Sequence, residues 1–202
     1  MPRKDRKERL LQPKGGWAGT TSTDFFHLVN KLCERARAEA KSLDGNTSSY
    51  VWAALPILLS GLWATVIEQE AMFLHQRKPD RVQVLIDVQY LPDQFVRLYG
   101  LSGELLDDLK ILVDLRNEII HPAHLPTGTP DNWPDSLRAF KQRGLLSSTG
   151  DLRSDYLMLE QMKSLRLLEW ALAVVERLRS IVLNHHGQIA LQHEGGGGPA
   201  TT

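Results

Sequence analysis

The stretch from Val51 to Ile67, VWAALPILLSGLWATVI, runs 17 residues without a charge and is apolar nearly all round. A helix with that pattern has no face to offer to water, so it must be enclosed, either by other elements of a fold or by lipid. A hydrocarbon core takes about 20 residues to cross. This run is shorter and contains Pro56, Ser60, Gly61 and Thr65. Its tryptophans, Trp52 and Trp63, do not bracket it as an interfacial belt would. The expectation is therefore the central helix of a soluble bundle and no membrane partner.

The elements needed to enclose it can be read on both sides. Thr21-Ser22-Thr23-Asp24 supplies cap residues, and Phe25, Leu28, Val29, Leu32 and Ala36 recur at helical spacing to about Leu43, where Asp44-Gly45-Asn46 ends the helix. Ser48-Ser49 caps the central helix, which should reach about Gln76, with Pro56 as a kink or a late start. Val82 to Val88 is rich in β-branched residues, but no second strand exists to pair with it, so residues 77–91 read as helix or irregular chain. Pro92 opens a short helix that Gly100 stops. Ser102 caps the next, with Leu105, Leu109, Leu112, Val113, Arg116 and Ile120 inward and Pro122 as its end. Residues 122–150 hold four prolines and read as a long loop with room for one short helix, Pro134 to Gln142. A last helix is expected from about Ser154 to Leu183. The fold class is thus all-α, an antiparallel helical bundle of about five helices. It occupies residues 21–184, between a basic flexible tail at 1–20 and a flexible glycine-rich tail at 185–202.

Charge and cysteine content limit the partners. Lys plus Arg and Asp plus Glu both number 24, so a chain that coats nucleic acid through its overall charge is excluded, and any such contact must be local. The tail, with Arg3, Lys4, Arg6, Lys7, Arg9 and Lys14, reads as a solvated lead-in or as an arm that touches phosphate. Cys33 is the one cysteine, so no disulfide can form within the chain. Its place in an amphipathic stretch makes it a core residue. Residues 1–16 are charged and lack the apolar segment of a secretory signal, so the expected location is cytoplasmic.

No phosphate loop, Cys-x-x-Cys pair or His-Glu-x-x-His motif is present. His185-His186 and His193 fall at the tail and read as no metal site, while Asp107-Asp108 and the pair Glu68 and Glu70 read as a solvated face. One segment carries a chemical pattern: Asp114-Leu115-Arg116-Asn117-Glu118-Ile119-Ile120-His121-Pro122. At about 100° per residue Asn117 and His121 lie one turn apart on one face, so the amide can hydrogen-bond the imidazole and fix its tautomer. Arg116 lies on the adjacent face, and the break at Pro122 lets the imidazole swing toward it.

This segment resembles the signature of HEPN domains, in which an arginine, commonly followed by a polar residue, precedes a histidine by four to six intervening residues. Arg116, Asn117 and His121 fit with four. Arg179 stands at the same kind of spacing from His185 and His186, but without the asparagine or the following proline. The resemblance, over roughly residues 22–183, implies a HEPN-like bundle and a metal-independent endoribonuclease with no cofactor, acting on RNA by attack of the 2′-hydroxyl on the adjacent phosphate. It implies that His121 transfers the proton and Arg116 stabilises charge on the phosphate, in a homodimer whose two motifs line one cleft. By analogy, many such nucleases act as toxins or in phage defence, with an antitoxin or regulatory protein as partner. The alternative is a non-catalytic HEPN-like module for nucleotide binding or protein docking. In that case Arg116 pairs with Asp114, Glu68 or Glu70 inside the bundle, and His121 caps the helix. His124 and the cluster Arg138, Lys141 and Arg143 read either as contacts to RNA phosphate or as ordinary surface charge.

Overall fold

The computed structural model describes residues 21–42, 47–77, 88–120, 135–147 and 161–194. Over these residues the protein is all-α. The elements are α1 (Thr21–Ser42), α2 (Tyr50–Arg77), a 3-10 turn at Val88–Tyr90, α3 (Leu91–Tyr99), α4 (Glu104–Ile120), α5 (Asp135–Gln142) and α6 (Leu165–Glu194). That is one helix more than the five or so expected, the extra one being the short helix allowed within the long connection. Among the described residues the only β-type pairing is a lone bridge between Thr47 and Ser164.

Helix α2 is the centre of the bundle. Val51, Ala54, Leu55, Leu58, Leu59, Leu62, Ala64, Val66 and Ile67 are all buried. The segment Tyr50–Glu70 is long and apolar enough to cross a membrane, yet 61% of its most apolar window is buried inside the protein. Its serine and threonine hydroxyls are satisfied within the helix: the Ser60 hydroxyl donates to the Pro56 carbonyl at 2.8 Å, and the Thr65 hydroxyl to the Gly61 carbonyl at 2.9 Å. Pro56 lies inside the helix, so it does not mark a late start.

Helix α1 lies antiparallel to α2. Ser22 at its start meets Glu68, its phenylalanines meet Gly61, and Glu39 near its end meets Ser48 and Ser49. The two helices cap each other. Ser48 Oγ accepts from the Tyr50 amide at 3.1 Å and donates to the Glu39 carboxylate, which also accepts from the Ser49 amide at 3.2 Å. At the other end Glu68 accepts the Ser22 amide at 2.8 Å and the Ser22 hydroxyl. Each carboxylate thus lies at the amino end of its neighbour, where the helix dipole favours negative charge. Val29, Cys33, Ala36 and Ala40 form the buried face of α1; Leu28, expected inside, is 44% exposed. Burial pushes the Cys33 thiol up from its ordinary value, in keeping with a core role.

Helix α6 runs antiparallel to α1 and parallel to α2. Arg37 reaches Glu169 at 3.6 Å and Arg179 lies 4.6 Å over the Phe26 ring. Lys163, just before α6, lies over Trp52 near the start of α2, whereas His186 meets Glu70 near its end. Two expectations are corrected here. The last helix does not begin near Ser154: the chain turns at residues 162–163, and α6 starts at Leu165. The backbone is held there by the Ser48 amide donating to the Lys163 carbonyl at 2.8 Å and by the Thr47–Ser164 bridge. Nor does the helix stop at Leu183 before a flexible tail; it continues through His185 and His186 to Glu194. The expected tail at 1–20, and residues 195–202 of the tail expected at 185–202, lie outside the described residues.

The shorter helices are set by local signals. Pro92 falls in the first turn of α3, and Gly100, at φ 64°, ends it with its amide on the Val96 carbonyl and the Leu101 amide on the Phe95 carbonyl. Gly103, not Ser102, directly precedes α4, and its carbonyl accepts the amides of Leu106 and Asp107. Helix α4 buries Asp108, Leu109, Leu112, Val113 and Leu115, while Ile120 is 41% exposed. A Cβ added at Gly61 would stand 3.1 Å from Phe25 Cβ, so the approach of α1 to α2 depends on a missing side chain. Gly61→Val should lower stability by about 1–3 kcal/mol through overpacking, read as a lower urea midpoint with an unchanged slope.

Candidate functional site

The Arg-Asn pair of the motif lies in the last turn of α4, which α2, α3 and α6 pack against. Arg116 is half-buried. Its Nη1 donates to Asn117 Oδ1 at 2.9 Å, while its Nε is buried and finds no partner. Among the described residues it makes no ion pair. The partners expected in a purely structural role are otherwise engaged: Glu68 caps α1, and Glu70 binds Tyr99 and His186. Asp114 is exposed. The guanidinium is therefore oriented by a neutral amide rather than neutralised by a carboxylate.

The Asn117 oxygen accepts from the arginine, while its expected hydrogen bond to the imidazole involves His121, outside the described residues. On the same turn Glu118 has one buried carboxylate oxygen, Oε2, with no hydrogen-bond partner. His121 and His124 lie outside the described residues. The three basic residues expected to act together are separated in role. Arg138 and Lys141 are exposed on α5. Arg143, just beyond it, does not read as a free phosphate contact, because its Nη1 lies 2.5 Å from Asp108 Oδ1 and its guanidinium 5.5 Å over the Trp170 ring. Asp108 is 4% exposed, which corrects its reading as part of a solvated face. A carboxylate can turn inward there because Arg143 supplies both charge and donor. That pair ties the end of α5 to α4 and α6.

A second polar cluster joins α2, α3 and α6. Tyr99 donates to Glu70 Oε1 at 2.9 Å, and His186 Nε2 lies 3.0 Å from the same oxygen. His185 packs edge-on to Tyr99 at 5.3 Å and to His186 at 5.5 Å between ring centroids. Burial alone would raise the Glu70 carboxyl, but the hydrogen bonds from His186 and Tyr99 outweigh it and hold the group below its ordinary value. Burial, with the Glu70 charge beside it, pushes the Tyr99 phenol up, so it stays a donor. Among the described residues no three His, Cys, Asp or Glu side chains converge as metal ligands, so the cluster is a hydrogen-bonded junction. Assigning His185 and His186 to a tail concealed it. The available signal was that Gly187 alone weakens a helix between Asn184 and Glu194, at a cost of only about 1 kcal/mol.

No protein-family model, curated protein or solved structure matches the chain.

Two outcomes follow from these pairings. Arg143→Ala should cost about 2–3 kcal/mol in denaturant unfolding, because it leaves a buried carboxylate without its cation; a pure phosphate contact on the surface would leave stability unchanged. Glu70 binds its proton less readily folded than unfolded. Its contribution is therefore fully present above the ordinary carboxylate range and is lost as pH falls through the lowered folded value. Thermal melts from pH 7 to pH 3 should show a shallower acid decline in Glu70→Gln than in the wild type.

Proposed function

We propose that the protein is a metal-independent endoribonuclease of the HEPN type, built around Arg116 and His121. The supporting observation is the state of Arg116: a half-buried guanidinium, held at one nitrogen by Asn117, that no carboxylate among the described residues neutralises. Such a group is ready for an anion of matching shape, and a phosphodiester oxygen pair matches the planar fork. The Arg-Asn-x-x-x-His spelling supplies the second half of the argument.

In this reading the 2′-hydroxyl of RNA attacks the neighbouring phosphorus. His121 transfers a proton, and Arg116 stabilises the negative charge that builds on the phosphate oxygens. The bond from phosphorus to the 5′ oxygen breaks, leaving a 2′,3′-cyclic phosphate and a 5′-hydroxyl. One arginine and one histidine make a sparse site, and pairing two chains across a two-fold axis doubles both. That composite cleft also places positive charge on RNA in a chain of zero net charge. A toxin or phage-defence role, with an antitoxin or regulatory partner, is the biological setting that the motif brings by analogy.

The test is cleavage of single-stranded RNA in EDTA, with product ends identified. His121→Ala should reduce the rate by about 10²–10⁴, and Arg116→Lys should also be damaging, since a point charge does not reproduce the fork. Both variants should melt within a few degrees of the wild type, and light scattering at tens of micromolar should report a dimer. An inactive wild type, together with a large loss of stability in Arg116→Ala, would instead favour a non-catalytic docking or nucleotide-binding module. Cleavage that survives His121→Ala or requires added Mg²⁺ would overturn the mechanism.

A further inference from the structure

Most of α2 is enclosed, but one strip of it is not. Ala53 is exposed, and Trp52, Pro56, Ile57, Ser60 and Trp63 are only half-buried, although none of them carries a charge. They recur at steps of three and four, so they share one side of the helix. A flank of α1 continues the strip. Arg35 lies 5.9 Å over the Tyr50 ring, and Leu28, 44% exposed, and Asp24, also exposed, stand two and three turns before it on the same side. Resting on the pairing of chains in the ribonuclease reading, we infer that two copies meet through this strip, α2 against α2 and α1 against α1, each pair antiparallel about a two-fold axis.

The strip is complementary to itself. Asp24 and Arg35 stand eleven residues apart on α1, and Trp52 and Trp63 eleven apart on α2, three turns or about 16 Å in each case. The register of the two helices, with Phe25 beside Gly61 and Arg35 beside Tyr50, sets the midpoints of both spans at one height. A single axis across that height therefore exchanges the ends of both spans at once. It brings Trp52 to the partner's Trp63 and Asp24 to the partner's Arg35. Leu28 and Ile57 fall near the axis, beside the small side chains of Ala53 and Ser60, which let paired helices approach closely. Such a contact is isologous, so each interaction is made twice. Charge selects the occupant. One end of the strip carries a carboxylate and the other a guanidinium, to which the exposed Lys31, one turn before Arg35, adds. An anionic lipid surface or an RNA strand suits one end and is repelled by the other, whereas a reversed second copy suits both.

The experiment measures the mass of the full chain in solution by sedimentation equilibrium, with thermal melts to verify the fold of each variant. The wild type should be a dimer at tens of micromolar. Asp24→Arg and Arg35→Glu both alter exposed residues, so each should melt within a few degrees of the wild type. Each also sets like charges opposite one another at both ends of the strip, and should weaken the dimer by about tenfold or more. Mixed in equal amounts, the two variants should form a heterodimer, because opposite charges then meet at both ends. Ala53→Arg, at an exposed position between the tryptophans, should give a monomer that mixing does not rescue. Arg177→Ala, exposed on α6, should leave the dimer intact. A monomeric wild type overturns the proposal, as does a dimer that persists in both charge variants, or a loss in each that mixing fails to restore. Monomers that sediment with vesicles of phosphatidylserine and phosphatidylcholine, but not as Ala53→Arg, would give the strip to lipid and overturn it too. A dimer that behaves as expected but cuts no RNA refutes the ribonuclease reading alone, and a nuclease whose dimer ignores these substitutions refutes this interface alone.

Discussion

Enclosure of α2 is the constraint on which the rest of this bundle depends. A helix that is apolar around its circumference cannot lie on a surface, so α1 and α6 must cover it along its length, with α4 also against it. That enclosure decides where polar groups are tolerated. Ser60 and Thr65 turn their hydroxyls back onto their own helix. Glu68 and Glu70, at the end of the apolar stretch, are taken up by α1 and by the Tyr99–His186 pair. Gly61 lets the first helix come close enough to complete the cover.

Much of the architecture could be read from the chain, for identifiable reasons. α3 was legible at both ends because Pro92 and Gly100 act through their own backbones, with no help from distant residues. The central helix was legible because no charge interrupts its apolar run. Three of the errors share a different cause: each depended on a partner far away in sequence. Asp108 turns inward only because Arg143 meets it, 35 positions on. The start of α6 is fixed by backbone pairing to residues 47 and 48, over a hundred positions earlier. The extension of α6 past Leu183 brings His186 to Glu70 across a separation of 116. Helical spacing says which face of a segment is apolar, but not which polar residue will find a counterion there.

The candidate site divides in the same way. Arg116 and Asn117 could be picked out by their spelling, and the structure joins them directly. That contact, an amide oxygen turned onto the neighbouring guanidinium, is not legible in spacing. Nor is the orphaned oxygen of Glu118, since a glutamate near the end of a helix ordinarily reads as solvent-exposed charge. Conversely, the second Arg–His spacing, at Arg179, is matched by no shared site. Its guanidinium lies over Phe26 while His186 is bound to Glu70.

The reciprocal capping of α1 and α2 bears on how the chain acquires its fold. Glu39 serves the start of α2, and Glu68 serves the start of α1. Every contact in this exchange falls between residues 22 and 68: the loop end of the hairpin is closed by Glu39 on Ser48 and Ser49, nine and ten positions apart, and the open end by Ser22 on Glu68, 46 positions apart. The local closure at the loop end costs little loop entropy and lets the hairpin start there before the open end is fastened. During synthesis this hairpin emerges before the residues that pack on its open side. α6, which covers that side, is made after the other described helices, so the apolar surface of α2 waits for a helix nearly a hundred residues further along the chain. The stretch between Tyr50 and Glu70 is therefore where a nascent chain of this protein most needs protection from aggregation.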